Sequence, residues 1–113
     1  MKALGILLVA LAALALAAPP EANIDGRALY NTKCANCHGR TGRARPDLAK
    51  KNTPSFNDPA WQKEATDEEI KDVIAKGVGE TEMKAFAPEL SPAEIAAVAK
   101  YVRTLAPPAA PAK

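Results

Sequence analysis

The chain has 113 residues, a formal charge of +2 and 48% apolar residues, with much of that apolar share in one uncharged run near the N-terminus. So small a charge gives no electrostatic footprint for nucleic acid or another polyanion as partner. Two cysteines and one histidine are too few for a four-ligand zinc site, and the length allows a single small domain.

Met1-Lys2 precedes an apolar stretch from Ala3 to Ala18, which ends in small residues before Pro19-Pro20. This is the layout of a secretory signal, with Ala15-Leu16-Ala17 as its small-x-small exit. Residues 1–18 are therefore assigned as a leader cleaved after Ala17 or Ala18, and the chain as periplasmic. The run is shorter than the ~20 residues that span a bilayer, so stable membrane insertion is not expected after cleavage; a retained leader would act as an anchor. Loss of Lys2 lowers the charge to about +1, and about 95 residues remain with five aromatics, Tyr30, Phe56, Trp61, Phe86 and Tyr101. A domain of this size is marginal without reinforcement.

After a lead-in over residues 19–24, the spacing predicts a helix from Ile24 to Lys33, capped by Asn23 or Asp25. Gly26, Tyr30 and Cys34 share one face of it. A glycine inside a helix is unfavourable, so Gly26 is read as the point where another backbone packs closely.

The helix runs into Cys34-Ala35-Asn36-Cys37-His38. Two cysteines separated by two residues can reach the vinyl groups on one edge of a haem, and the histidine after them is placed to offer its imidazole to the iron. The competing reading, a dithiol redox pair, wants a preceding strand and a βαβ context, and no strand-period segment is present. In an oxidising compartment two such thiols would normally pair; haem attachment removes both from thiol chemistry. A buried porphyrin also supplies the missing core. Several hundred Å² at about 25 cal/mol per Å² contributes on the order of 10 kcal/mol, comparable to the net stability of a whole domain. The haem-free chain is expected to be largely unfolded.

Gly39 to Asn57 shows no helical or strand period and reads as a loop wrapped on the cofactor. Within it Pro46 and Leu48 are assigned to the histidine side of the pocket. Asn52 and Thr53, with Trp61 beyond, supply donors for the haem propionates. Thr66-Asp67-Glu68-Glu69 is a capping box opening a helix through Ile70, Val73 and Ile74 that stops at Gly77. A second irregular piece, Val78 to Leu90, contains Met83 and Phe86. Ser91-Pro92-Ala93-Glu94 caps the last helix, whose stripe is Ile95, Val98, Val102 and Leu105 with Tyr101 beside it. Residues 25–105 form the domain, and 106–113 a Pro/Ala-rich extended tail. The architecture is all-α.

A haem that only carries electrons keeps both axial ligands in each oxidation state. After processing, Met83 is the one methionine left. It sits among polar residues where no apolar period calls for core filler, so it is assigned as the distal ligand, a soft thioether that favours Fe(II). A lysine, or no protein group at all, is the alternative at that position.

With these features in place the chain resembles a small monohaem class I c-type cytochrome of the bacterial exported type. The resemblance runs from Gly26 to Leu105 and rests on Gly26 and Tyr30, Cys34-Cys37-His38, Pro46 with Leu48, Met83 with Phe86, and Val98 with Tyr101. It implies the class I cytochrome c fold, three to four helices around one covalently attached haem c. It implies thioethers at Cys34 and Cys37, His38 as proximal and Met83 as distal iron ligand, and a Pro46 carbonyl accepting from His38 Nδ1. It also implies that the first and last helices cross at Gly26, with Tyr30 packing on Tyr101 and Val98, and that Phe86 lines the pocket.

The expected function is a periplasmic electron carrier rather than an enzyme, since no acid, base or nucleophile constellation appears. It would be a monomer that meets redox partner proteins at the haem edge. One alternative is a haem subunit of a larger oxidoreductase; another is an open-site haem peroxidase or gas sensor. Charge is uneven along the chain: residues 27–51 hold seven basic residues against Asp47, and 58–82 hold eight acidic ones against three lysines. That asymmetry fits either two solvated faces or steering of a partner.

Overall fold

The computed structural model describes residues 23–108; the leader, residues 19–22 of the lead-in and the last five residues of the tail fall outside them. Six helical pieces follow in order: α1 (Gly26–Lys33), α2 (Ala35–His38), α3 (Pro46–Ala49), α4 (Pro59–Glu64), α5 (Asp67–Lys76) and α6 (Pro92–Thr104). No strand occurs among the described residues. Of the two predicted caps for α1, Asp25 is the one used, its carboxylate accepting from Ala28 N–H at 3.0 Å.

α1 and α6 cross where Gly26 was expected to permit it. A Cβ on Gly26 would overlap the Ala97 carbonyl oxygen, so only hydrogen fits. Tyr30 follows one turn later, fully buried, with its ring 5.1 Å from that of Tyr101 and its hydroxyl donating to the Gly39 carbonyl at 2.7 Å. Val98 is buried in the same cluster, so the predicted crossing and its aromatic contact are both present. The Gly39 bond ties α1 to the turn just after His38.

Both capped helices start where their boxes predict. At Ser91 the box is complete: the hydroxyl accepts from Glu94 N–H at 3.1 Å, and Glu94 Oε1 accepts from Ser91 N–H at 2.9 Å. At Thr66 only half of it forms as expected. The hydroxyl accepts from Glu69 N–H at 3.1 Å, but the Glu69 carboxylate returns to that hydroxyl at 3.0 Å instead of to the Thr66 amide.

Three helical pieces were not anticipated, among them α2, a single turn over Ala35–His38 of the motif. α4 begins at Pro59 behind Asp58, whose side chain accepts from Ala60 N–H, and one turn of helix, α3, interrupts the 39–57 loop. A polar clamp holds α4 against α6. Gln62 Nε2 donates to the carbonyls of Phe56 and Val102 at 2.7 and 3.0 Å. Arg103 donates to the Gln62 carbonyl at 2.7 Å, to Asp67 at 2.7 Å and to the Ala65 carbonyl. The clamp fixes the wall made by Phe56 and Trp61, whose rings lie 4.8 Å apart.

Candidate haem site

Cys34, Cys37 and His38 converge with Met83 on one predominantly apolar cavity of about 840 Å³. That volume lies within the roughly 300–1,000 Å³ range of cofactor sites. Cys34 is both the C-cap of α1 and the residue that opens α2, so the pair is presented from a rigid helix end. The opposite contribution comes from the segment after α5, pinned to that helix by Phe86 N–H donating to the Ile74 carbonyl at 2.9 Å and Ala87 N–H to the Ala75 carbonyl at 3.1 Å.

Both cysteines are free and half-buried. Burial pushes the Cys34 thiol up to about 11, with Lys33 opposing and Cys37 adding to the rise. That shift disfavours the Cys34 thiolate, the opposite of what an exchange-active thiol needs. Burial lowers the His38 pKa, which favours the neutral, ligating imidazole. Its ring stacks on Phe56 with centroids 4.5 Å apart.

Among the described residues, His38 Nδ1 is the one buried side-chain N or O atom without a hydrogen-bond partner. The Pro54 carbonyl is near enough to favour the protonated ring, yet no hydrogen bond is completed at Nδ1. Pro46 does not take that part. It is exposed at the first position of α3, does not line the cavity, and its carbonyl accepts from Lys50 N–H at 3.3 Å. The expected Pro46 contact is absent, and Pro54 is instead the half-buried proline that lines the cavity. Proline followed two residues on by an apolar side chain occurs at both Pro46-Asp47-Leu48 and Pro54-Ser55-Phe56.

The other assigned residues all reach the cavity. Leu48 and Phe86 are buried in its wall, Thr53 and Trp61 are half-buried lining residues, and Asn52 lines it from an exposed position with φ of 68°. Pro54, Phe56, Ile70, Ile74 and Val98 line it as well and were not assigned as pocket residues.

An apolar cavity, two free cysteines on one helix end, an imidazole whose buried Nδ1 is unmet and a thioether at the same cavity together fit a covalently attached haem. The family comparison decides the matter: residues 21–102 match the family described as cytochrome c oxidase, cbb3-type, subunit III. The chain belongs to this family. It is a small c-type cytochrome of all-α fold and carries covalently bound haem c with its iron. A cbb3-type cytochrome c oxidase subunit FixP of Azorhizobium caulinodans is 35% identical over 80 residues, which cover 71% of this chain and 26% of that protein. A subunit of the same name from Bradyrhizobium sp. (strain ORS 278) is 37% identical over 93 residues, covering 74% and 30%. The chain thus spans less than a third of the length of these relatives. Among solved structures, the KustC0563 c-type cytochrome superposes with a TM-score of 0.69 at 33% identity, covering 74% of this chain and 100% of that one.

No helix among the described residues is long and apolar enough to cross a membrane.

Proposed function

We propose that this cytochrome transfers single electrons on the periplasmic side of a membrane, and that it does so as the haem-carrying component of a larger oxidoreductase. The convergence of Cys34, Cys37, His38 and Met83 on one apolar cavity supports electron transfer. The oxidase-subunit names of its relatives support the larger assembly, and favour it over a freely diffusing monomeric carrier.

In this reading Cys34 and Cys37 would anchor the haem as thioethers, and His38 and Met83 would ligate its iron. When bound, the haem supplies one-electron Fe(III)/Fe(II) chemistry, and a thioether ligand raises its reduction potential. Leu48, Ile70, Ile74, Phe86 and Val98 keep water from it. Thr53, Asn52 and Trp61 would offer donors to the propionates, and the Pro54 carbonyl would be the acceptor for His38 Nδ1 once the ring is drawn to the iron.

The optical spectrum of the purified ferric protein tests the ligand set. The long-wavelength charge-transfer band of a thioether on ferric iron is present in the wild type and lost in Met83→Ala, with a fall in potential. A wild type without that band is an open-site or differently ligated haem protein. Solubilised native membranes test the assembly: the chain co-purifies with a larger oxidoreductase, and elution alone as a monomer favours the shuttle. One observation favours that second reading, since the solved KustC0563 chain is matched over its entire length by this one.

A further inference from the structure

Both backbone polar groups of Met83 are committed within its own loop. Its carbonyl accepts from Val78 N–H at 2.9 Å, and its N–H donates to Thr81 Oγ1 at 3.1 Å. The same Thr81 hydroxyl donates to the Val78 carbonyl at 2.7 Å, so one side chain brackets the loop from both ends. Gly77 presses on it from outside, with a φ of +70° and room for no Cβ, which would lie 2.6 Å from the Met83 carbonyl oxygen. Glu80, between them, has a φ of 62°. A non-glycine residue holds that left-handed conformation only where its surroundings over-determine it.

The ion pairs on either side of Met83 are poor candidates for the holding element. Lys51 and Glu82 pair at 3.3 Å with side chains 66% and 63% exposed, and Lys84 and Glu89 at 2.6 Å with 60% and 41%. Pairs this exposed contribute little and are screened by salt. The Thr81 bonds are short-range and local to the ligand's own peptide.

We infer that Thr81 is the positioning residue for Met83: its hydroxyl presets the Met83 peptide so that the thioether is presented to the cavity without a further ordering cost. This rests on Met83 being the distal iron ligand. A side chain already held in its ligating arrangement competes better against any outside molecule for the same position.

Thr81→Val keeps the shape and removes the hydroxyl, whereas Thr81→Ser keeps the hydroxyl. The readouts on ferric holoprotein are the thioether charge-transfer band and the apparent affinity for imidazole, which competes for the sixth position. Thr81→Val binds imidazole about tenfold more tightly than the wild type and shows a weaker band, the scale expected for loss of one or two modest hydrogen bonds. Thr81→Ser stays within about twofold of the wild type on the same scale. Unchanged affinity and band in Thr81→Val overturn the proposal. A Thr81→Ser that behaves like Thr81→Val also overturns it, by placing the effect in methyl packing. Amide hydrogen exchange on the wild type keeps the test independent of variant folding: the Met83 N–H is protected, and free exchange refutes the bracket. Failure of the underlying reading looks different. The wild type then lacks the band, Met83→Ala leaves imidazole affinity unchanged, and the proposal falls with it.

Discussion

Gly26 carries a prediction that depends on one missing methyl. Its Cα faces the Ala97 carbonyl across the α1–α6 crossing, and a Cβ would overlap that oxygen. Gly26→Ala therefore trades a helix-propensity gain of under about 1 kcal/mol for overpacking that costs about 1–3 kcal/mol. The net loss lowers the melting temperature of the holoprotein by several degrees, roughly 4–8 °C per kcal/mol at this size. An unchanged or raised melting temperature contradicts the close crossing. The position was legible because a glycine amid a helical pattern has few other reasons to be there. Pro46 was not legible, because two Pro-x-apolar triplets stand in one loop and nothing local ranks them. What excludes Pro46 is tertiary: it opens the α3 turn, where Arg45 and Asp47 pair at 2.7 Å, and the turn faces solvent.

At the scale of elements, the signals that worked were those in which a side chain satisfies an orphan backbone group. Ser91, Thr66, Asp25 and Gly77 all mark real helix ends. Asp58-Pro59 carried the same signal for α4, and was obscured by the polar residues around it. Because the Ser91 box is complete and the Thr66 box returns to its own hydroxyl, Ser91→Ala costs the holoprotein about 1 kcal/mol and Thr66→Ala less. Thermal or denaturant melts check the ranking, and equal losses contradict it.

A second element-level prediction concerns pH. Glu89 accepts from Lys84 at 2.6 Å and Lys33 at 3.3 Å, joining the end of α1 to the segment before α6. Those bonds hold its carboxyl below the usual carboxylate range. A depressed folded pKa means the contribution is complete above the ordinary glutamate value and is lost as pH falls through the folded one. Glu89→Gln accordingly shows a shallower loss of stability on acidification below about pH 4.5 than the wild type. The effect is small because the pair is exposed, and identical acid limbs in the two proteins remove it.

The whole molecule is organised by what its side chains leave unfilled. Twelve apolar residues form the buried core among the described residues, and several of them, Tyr30, Leu48, Phe56, Phe86 and Val98 included, also line the cavity. The wall of the site and the core of the domain are therefore largely the same residues. The all-α class was readable from the helical periods and caps, and the haem attachment because the five residues Cys34 to His38 name their own cofactor. The lining was less so, since Phe56, Ile70 and Ile74 come from a loop and from α5 and meet at the cavity only in the folded chain.

Charge is also a property of the whole. The basic run ends in a loop where Arg40, Arg43 and Lys50 are exposed, and the acidic run includes the first turn of α5. If this asymmetry steers an acidic partner, electron transfer to that partner slows as ionic strength rises, and stopped-flow rates indifferent to salt remove the idea.

In the proposed reading, a porphyrin fixed at Cys34 and Cys37 completes this domain. Denaturing mass spectrometry with thiol alkylation, on protein from cells competent in c-type cytochrome maturation, tests it most directly. The expected product is a red protein whose mass is the polypeptide plus one haem, with neither cysteine open to alkylation. A colourless, cooperatively folded chain with two alkylatable thiols would contradict it.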